Sequence, residues 1–362
     1  MIINKVLGGG GNTATAKSPF TSVVTKTFDR YYVPKCLAYN EGVWMFGGKL
    51  NNCVAMSWWD SANDDLPVSR LTDTSGLGAQ AVGLSSVGDT GYIVGLYEFP
   101  SAQVYGQQVF FKEMAVTGLT NTDFALNGYN FHIPVVSLGA DMLVDGKLIL
   151  SIGYSRNDNA DQTNSQFFDM ESQTAQSTYN GTWNEHGSNA IKLSQDGNRV
   201  FGMNSSGFVR YRGTGLEPKY WGASVGEAAG TTDGVTATSL LAVNNYCIVG
   251  GSKADGTYIW YVSGTITEGM TFTAKRIYDR PCTVIGIAYA SNKYIVAYKV
   301  DNQVHFWVSK PNDITTASAI DYYDSAISGI DGETFVDMKG NGSEAMLLSY
   351  SPNVAAHVTI IK

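Results

Sequence analysis

The residues of this chain that are able to do metal or acid–base chemistry are scattered along it rather than clustered. No two of its histidines are close enough in sequence to suggest a metal pair, and none has Asp, Glu or Cys beside it at the spacing of a metal site. We therefore predict no metal and no cofactor. The histidines, which we interpret as ordinary residues of the fold, are His132, His186, His305 and His357.

One short motif matches the pattern of a hydrolase nucleophile. Gly222–Gly226 reads Gly-Ala-Ser-Val-Gly, but a nucleophile elbow needs a strand before the serine and a helix after it. A second glycine-bounded stretch, Gly230–Gly234, follows within a few residues. We therefore predict that the motif is a loop, that the chain has no catalytic residues, and that it is not an enzyme.

The bulk composition describes a large folded protein with an acidic surface. The 362 residues include 44% hydrophobic and only 15% charged side chains, with 40 Gly and 21 Tyr, which is typical of an all-β protein with many turns. The net charge of -8 disfavours binding to nucleic acid, which needs a Lys/Arg surface. No apolar run is long enough to span a membrane, so we predict no membrane insertion.

The elements that must position any functional residue come from an internal repeat. Val24–Asp64 and Ala274–Asp313 share an Asp-Arg corner, three short apolar strands and a polar loop in the same order. Seven such units follow one another at a spacing of about 45 residues, which is typical of propeller blades. Lys192–Phe201 also resembles one hairpin of the TolB-like propellers. We predict an all-β, seven-bladed β-propeller with four-stranded blades.

The two ends of the repeat predict how the ring closes. The seventh unit has three strands before the chain stops, and the first unit is preceded by an extra strand, Ser22–Phe28. This extra strand aligns with Thr271–Ile277, the fourth strand of the fifth unit. We therefore predict that the N-terminal strand completes the last blade, which hides two open sheet edges.

The remaining N-terminal residues do not fit the repeat. We divide the chain into a flexible arm, residues 1–20, and a single propeller domain, residues 21–362. The arm has a short apolar head followed by four glycines and no core of a secretory signal, so we expect synthesis in a cytoplasm. The side chains predicted to dock on a partner are Ile2, Ile3, Val6 and Leu7.

A propeller headed by a short apolar and glycine-rich arm resembles virion proteins of tailed bacteriophages. This resemblance implies a non-enzymatic structural protein that is attached to the tail or capsid through its arm. It implies a virion location and other virion proteins as partners.

Two other functions remain open at this point. The chain is alternatively a module that binds a host surface receptor or a glycan, for which Trp183 and Tyr179 in a polar loop are the candidate ligand contacts. A glycan-cleaving enzyme is the third hypothesis, although no complete Ser-x-Asp-x-Gly-x-Thr-Trp box of a sialidase occurs. The oxygen-rich stretch Asn157–Asp161 lacks the glycine and the terminal glutamate of a calcium loop, and we predict a solvated hairpin loop there.

Overall fold

A computed structural model describes nineteen stretches of the chain. They are residues 17–40, 43–50, 53–59, 68–72, 79–87, 90–97, 104–112, 115–122, 135–142, 148–156, 159–166, 168–169, 174–175, 192–196, 199–203, 207–213, 221–224, 234–264 and 270–362. Almost all of these residues lie in β-strands or in the tight turns between them. Within these ranges, no helix has the length and apolar character needed to cross a bilayer.

The first two sheets each contain four antiparallel strands that follow one another along the chain, after an isolated N-terminal strand, β1 (Val23–Thr27). The first sheet comprises β2 (Val33–Asn40), β3 (Val43–Leu50), β4 (Cys53–Trp59) and β5 (Val68–Thr72). The second comprises β6 (Ala79–Val87), β7 (Thr90–Tyr97), β8 (Val104–Lys112) and β9 (Ala115–Thr122).

The third and fourth sheets are less regular. The third has three strands, β10 (Val135–Met142), β11 (Leu148–Arg156) and β12 (Asn159–Gln166). A separate pair, β13 (Phe168–Asp169) and β14 (Thr174–Ala175), lies against β11. The fourth sheet begins with β15 (Lys192–Asp196), β16 (Arg199–Met203), β17 (Phe208–Gly213) and β18 (Trp221–Ser224).

The last three sheets are again four-stranded. The fifth comprises β19 (Thr236–Val243), β20 (Tyr246–Lys253), β21 (Gly256–Ser263) and, after the short β22 (Met270–Thr271), β23 (Thr273–Tyr278). The sixth comprises β24 (Thr283–Ala290), β25 (Lys293–Val300), β26 (Gln303–Lys310) and β27 (Asp313–Tyr323). A 3-10 helix, Ser325–Ile330, leads to β28 (Thr334–Gly340), β29 (Ala345–Ser351) and β30 (Ala355–Ile361) of the seventh.

The first strands of the seven sheets form a closed ring. They contact one another in the cyclic order β2, β6, β10, β15, β19, β24 and β28, and β28 contacts β2 again. Each later strand pairs outward from its first strand. The protein is therefore an all-β propeller, as predicted, and these contacts agree with seven blades.

The N-terminal strand completes the seventh sheet, and this prediction is confirmed. Strand β1 pairs antiparallel with β30, with Val23 opposite Ile361 and Thr27 opposite His357. The sheet order is β1, β30, β29, β28, which places β1 at the outer edge. The last blade thus contains one strand from the start of the chain and three from its end.

The sheets agree with the prediction of four-stranded blades. Among the described residues, the third sheet comprises β10, β11 and β12, and β22 pairs in parallel with β18 at the edge of the fourth. The polar stretch that we predicted as a loop contributes Asn159–Asp161 to β12, which pairs with β11. Backbone pairing with a neighbouring strand here overrides the low β-propensity of Asn and Asp side chains.

The turns follow the chemistry that the sequence predicts. Asn244 and Asn245, between β19 and β20, have φ of 50° and 64°, and Ser291 and Asn292 have 49° and 63°. Two successive residues with positive φ are the mark of a type I′ hairpin turn. These short turns hold the first two strands of a blade in register.

A recurring bulge marks the innermost strand. The pairing of first and second strands shifts by one residue in six of the seven sheets, at one matching place in each. Glycine is required opposite two of these bulges, because a Cβ at Gly48 or Gly251 would lie 2.0 Å or 2.3 Å from the carbonyl oxygen of Val33 or Thr236. The blades therefore repeat in backbone conformation as well as in amino-acid sequence.

The core consists of apolar layers between neighbouring sheets. Trp260 of β21 is 0% exposed and packs with side chains of the fourth and fifth sheets, and Trp307 of β26 is 1% exposed between the fifth and sixth. Burial of a large aromatic side chain contributes a large share of the packing energy. These two third-strand tryptophans are therefore core residues rather than ligand contacts.

Candidate functional site

The predicted docking residues and the predicted ligand contacts lie outside the described residues. This applies to Ile2, Ile3, Val6 and Leu7 of the arm and to Tyr179 and Trp183 of the polar loop. The structure does describe where the arm meets the propeller, beginning at Lys17. The candidate sites among the described residues are that junction and three polar clusters in the sixth and seventh blades.

The arm is anchored to the propeller by Phe20. Its ring is 8% exposed and packs edge-to-face on Phe306 of β26 and Tyr322 of β27, with centroid distances of 5.2 Å and 5.8 Å. The ring belongs to the apolar layer between the sixth and seventh sheets. Phe20, which the sequence analysis assigned to the arm, is therefore part of the core.

Polar contacts hold the same junction. The ammonium of Lys293 donates to the carbonyl oxygen of Pro19 at 2.6 Å. The backbone N–H of Thr21 donates to the carbonyl oxygen of Lys362 at 2.6 Å. The backbone N–H of Lys362 donates to the carbonyl oxygen of Ser22 at 3.0 Å. The N-terminal segment of the described residues is therefore fixed to the propeller where Thr21 and Ser22 meet Lys362.

A buried carboxylate ties this junction to the first blade. Glu344 is 3% exposed, and its Oε1 accepts a hydrogen bond from the indole N–H of Trp44 at 2.9 Å. Its Oε2 lies 3.2 Å from the ammonium of Lys362. One side chain thus connects the first blade, the seventh blade and the C-terminal residue.

Two exposed apolar side chains lie on the outer rim near the arm. Val24 of β1 is 43% exposed, and Ile320 of β27 is 65% exposed. Ile320 lies two residues before Tyr322, which contacts Phe20. Strand β1 is also an edge strand, and edge strands are templates for pairing with another chain.

The seventh blade contains a buried cluster of Ser349, Glu333 and His357. The hydroxyl of Ser349 donates to Oε2 of Glu333 at 2.7 Å. Nδ1 of His357 lies 2.8 Å from Oε1 of Glu333, although the N–H direction departs from that of a hydrogen bond.

This cluster has the residue types of a hydrolase triad but not its geometry. In a nucleophilic triad the histidine lies between the serine and the carboxylate, so that it takes the proton of the serine. Here the carboxylate of Glu333 lies between the other two side chains, and Ser349 is 0% exposed. The cluster connects β28, β29 and β30 and has no accessible nucleophile.

The sixth blade has a related but more exposed cluster. Nδ1 of His305 is 2.7 Å from Oδ1 of Asp321, and the hydroxyl of Tyr298 donates to the same oxygen at 3.3 Å. His305 is paired with Tyr298 across β25 and β26, as His357 is paired with Ser349 across β29 and β30. Sequence reasoning missed this relationship, although His305 and His357 occupy the same position in their third strands.

Asp321 is held in an unusual backbone conformation. Its φ is 51°, in the left-handed region, and the pairing of β26 with β27 is irregular around it. Burial raises the pKa of the Tyr298 phenol far above its ordinary value, and the Asp321 carboxylate adds to this effect. Tyr298 is therefore a fixed hydrogen-bond donor to Asp321 at every physiological pH.

A groove opens where the connection from the fifth blade enters the sixth blade. It has a volume of about 430 Å³. Its lining residues come from the β23–β24 connection, from the start of β24, from β25 and from the β25–β26 turn. They are Arg280, Pro281, Cys282, Thr283, Lys299 and Asp301. Small-molecule sites occupy about 300–1,000 Å³, so the groove lies at the lower end of that range.

The other chemical candidates from the sequence are in ordinary positions or undescribed. Ser224 of the Gly-x-Ser-x-Gly match lies within β18, paired with Phe208 on one side and Thr271 on the other, rather than in a loop. His132 and His186 lie outside the described residues. Among the residues that the structure describes, no three His, Cys, Asp or Glu side chains converge to hold a metal ion.

Comparison with known proteins identifies a fold. No protein-family model and no curated protein matches the sequence. Among solved structures, the WD40 repeats of RRP9 match with a TM-score of 0.57 at 9% identity, over 93% of this chain and 97% of that one. The β-propeller domain of the trilobed protease from Pyrococcus furiosus matches with a TM-score of 0.50 at 9% identity, over 93% and 95%.

A peptidase also contains a similar propeller. Acylaminoacyl peptidase from Pyrococcus horikoshii matches with a TM-score of 0.52 at 10% identity, over 93% of this chain but only 52% of the peptidase. The chain thus spans about half the length of that enzyme. The neighbours therefore include both WD40 repeats and peptidase propellers, and at these identities they show that this chain is a β-propeller and no more.

Proposed function

We propose that this protein is a non-enzymatic structural component of a tailed-bacteriophage virion, attached to the tail or capsid through its N-terminal arm. The observation that carries the proposal is the anchoring of the arm by Phe20 between the sixth and seventh blades. An arm that emerges from a fixed point on a rigid ring is suited to attachment, because force on the arm is resisted by buried aromatic packing. Its partners are then other virion proteins.

The surface around the anchor supports attachment to a protein. Val24 and Ile320 expose apolar area on the rim, and β1 presents an edge. Edge pairing of this kind already occurs within the chain. The short strand β22 pairs in parallel with β18, the outer strand of the neighbouring blade. A partner strand or an apolar partner patch would bind in the same way.

The inaccessible Ser349 favours a structural role over hydrolysis. In the described residues that resemble a hydrolase triad, the order of the side chains is wrong for proton transfer to histidine. The proposed location is the virion, after synthesis in the host cytoplasm, and it rests on the arm and its resemblance to phage virion proteins.

The experiment that tests this proposal removes the arm and preserves the anchor. Purified virions from cells that express the full chain are compared with virions from cells that express the chain without residues 1–18. We expect the full chain to sediment with particles in a density gradient and the truncated chain to stay in the soluble fraction. The thermal unfolding of the two purified chains should agree.

Two results would contradict the proposal. If the truncated chain sediments with virions as the full chain does, then the arm does not attach it. If neither chain is found on particles by immunogold labelling, then the protein is not a virion component.

A further inference from the structure

The turns at one end of the sixth and seventh blades are joined by hydrogen bonds. The N–H of Ser291, between β24 and β25, donates to the carbonyl oxygen of Gly342 in the corresponding turn of the seventh blade at 2.9 Å. The Ser291 hydroxyl donates to the carbonyl oxygen of Ser343 at 2.8 Å. Within the sixth blade, the N–H of Asn312 donates to the carbonyl oxygen of Asn292 at 2.6 Å. These turns therefore form one connected surface.

The first blade belongs to the same surface. Glu344 follows the turn of the seventh blade and accepts from the indole N–H of Trp44, which follows the turn of the first blade. We call this end of the sixth, seventh and first blades the turn face. A partner that binds here does not have to order the turns of the sixth and seventh blades, which lowers the entropic cost of binding.

Two tyrosines occupy equivalent positions on the turn face, one on each side of the seventh blade. Tyr39 is the second-last residue of β2 and lies opposite Trp44, and Tyr289 is the second-last residue of β24 and lies opposite Tyr294. Each ring packs on the aromatic ring opposite, at centroid distances of 4.9 Å and 5.1 Å. Tyr39 is 36% exposed, and the hydroxyl of the half-buried Tyr289 donates to Asn312 at 2.6 Å. Fixed tyrosines with exposed area are typical energetic centres of protein interfaces.

Lysines surround the two tyrosines. Lys17 and Lys310 are exposed, and the side chain of Lys362 is 51% exposed. The described carboxylates near them are engaged within the chain. Glu344 is buried against Lys362, and Asp313 accepts from the N–H of Thr315.

Exposed carboxylates of the same part of the ring lie at its other end. Asp29 and Asp279 are in connections that lead into first strands, and Asp301 is in the turn between the second and third strands of the sixth blade. The chain as a whole carries a net charge of -8. Among the described residues, the turn face is thus the cationic end of these blades, and its charge is complementary to an acidic surface.

The N-terminal segment reaches the ring at the turn face. Lys293, which follows the turn of the sixth blade, donates to the carbonyl oxygen of Pro19. Lys17 follows Leu7 of the apolar head by ten residues, a reach of at most about 35 Å. A partner that holds the head is therefore kept close to the turn face, at an effective concentration on the order of 1 mM. At that concentration a second contact of low affinity is occupied.

We propose that the turn face, with Tyr39 and Tyr289 as its central contacts, docks on an acidic surface of the protein that holds the arm. This inference rests on the attachment proposed above and adds the face and the chemistry of the contact. The two tyrosine rings contact the partner, and Lys310 faces its carboxylates. The end of the blades that carries Asp29, Asp279 and Asp301 points away from the particle.

The test measures the affinity of the full chain for purified virions that lack this protein. Fluorescently labelled chain is titrated onto the particles, and bound and free chain are separated by sedimentation. We expect Tyr39→Ala and Tyr289→Ala each to raise the dissociation constant by about tenfold, the loss typical of a central interface tyrosine. Lys310→Glu should also weaken binding and reduce its dependence on salt concentration. Lys310 is in an exposed turn, so this variant tests the face without removing an aromatic packing contact.

The opposite end of the blades offers matched controls. Tyr258 is also half-buried and packs on a tryptophan, Trp260, with 5.4 Å between ring centroids. Arg280 is an exposed cation in the β23–β24 connection. Tyr258→Ala and Arg280→Glu should leave the dissociation constant unchanged. Circular dichroism and thermal unfolding of every variant separate a lost contact from a lost fold.

The outcomes distinguish this proposal from the attachment on which it rests. Wild-type affinity in folded Tyr39→Ala, Tyr289→Ala and Lys310→Glu would overturn docking of the turn face and leave attachment by the arm intact. Equal losses in the control variants would also overturn it, because the contact would not be confined to this face. Loss of wild-type binding after nuclease treatment of the particles would assign the lysines to nucleic acid instead. If the wild-type chain does not bind particles at all, both proposals fail.

Discussion

At the scale of single residues, buried polar side chains in this protein connect strands rather than react. The carboxylate of Glu333 contacts Ser349 of β29 and His357 of β30. The carboxylate of Glu344 contacts Trp44 of the first blade and the C-terminal Lys362. A buried carboxylate without partners would be costly, whereas one that is paired on both oxygens is tolerated. These residues thus hold particular blades in place.

Replacing Glu333 with glutamine tests this role. Glu333→Gln keeps the shape and one acceptor for Ser349 but removes the charge near His357, so we expect the free energy of unfolding to fall by about 2 kcal/mol. Urea unfolding followed by tryptophan fluorescence measures the change. Asp313→Asn, at the first residue of β27, keeps an oxygen that accepts from the N–H of Thr315. It is the control and should change stability by less than about 0.5 kcal/mol. Equal effects of the two substitutions would argue against a special role for Glu333.

Burial of Tyr294 predicts a loss of stability in alkali. Its ring is 1% exposed, and desolvation by burial raises the pKa of its hydroxyl from 10.0 to about 12. A group whose pKa is raised by folding stabilises the protein fully below its unfolded pKa, and this contribution is lost as the pH rises through the folded pKa.

The tyrosinate absorbance of native protein checks this prediction. The absorbance titration of Tyr294→Phe is subtracted from that of wild type. The difference should correspond to one phenol that ionises near pH 12 or only when the protein unfolds. The alkaline decline of stability between about pH 10 and 12 should be smaller in the variant. A phenol at this position that ionises near pH 10 in folded protein would contradict the assignment.

At the scale of elements, the hairpins repeat because the same turn chemistry recurs. Asn and Ser occupy left-handed positions between first and second strands of the fifth and sixth blades. The bulge opposite Gly48 and Gly251 recurs in the same part of the first strand. These local features set the register of each blade independently of the others.

Asn245 offers a test of the turn. Its φ is 64°, which glycine adopts without cost and a β-branched residue does not. Asn245→Gly should leave stability within about 0.5 kcal/mol of wild type, and Asn245→Val should reduce it by about 1–2 kcal/mol. Thermal unfolding of the two variants measures the difference. A valine that is as well tolerated as glycine would show that the turn is not type I′ in solution.

At the scale of the whole molecule, stability depends on joining the two ends of the chain. Strand β1 pairs with β30, Phe20 fills the layer between the sixth and seventh blades, and Phe28 packs between the seventh and the first. The ring is thus closed by a segment of about ten residues. Residues before Lys17 are not needed for any of these contacts.

Two truncations separate closure from attachment. Removal of residues 1–18 should leave the melting temperature unchanged, whereas removal of residues 1–29 should lower the free energy of unfolding by at least about 3 kcal/mol, the cost of one buried phenylalanine. Differential scanning calorimetry of both chains gives the comparison. If both truncations behave alike, β1 does not close the ring in solution.

Part of the fold was predictable because it is encoded locally. The strand–turn–strand units, the type I′ turns at Asn244–Asn245 and Ser291–Asn292, and the displaced first strand can all be read from alternation, turn residues and internal alignment. Two predictions on short segments were wrong. Asn159–Asp161, predicted as a loop, belongs to β12, and Ser224, also predicted in a loop, lies in β18, to which β22 of the following segment pairs in parallel. The pairing of β18 with β22 joins segments about 45 residues apart, which no local pattern specifies.

The sequence by itself determined the class of fold and the repeat, because those depend on patterns within tens of residues. It also determined the strand that closes the ring, because Ser22–Phe28 aligns with the fourth strand of an internal unit. Only the tertiary structure decided which side chains meet: His357 with Glu333, Trp44 with Glu344, Lys293 with Pro19, and Arg280 beside Asp301. Trp44 and Glu344 are 300 residues apart. Their contact depends on the register of the strands in every blade between them, which no local pattern specifies.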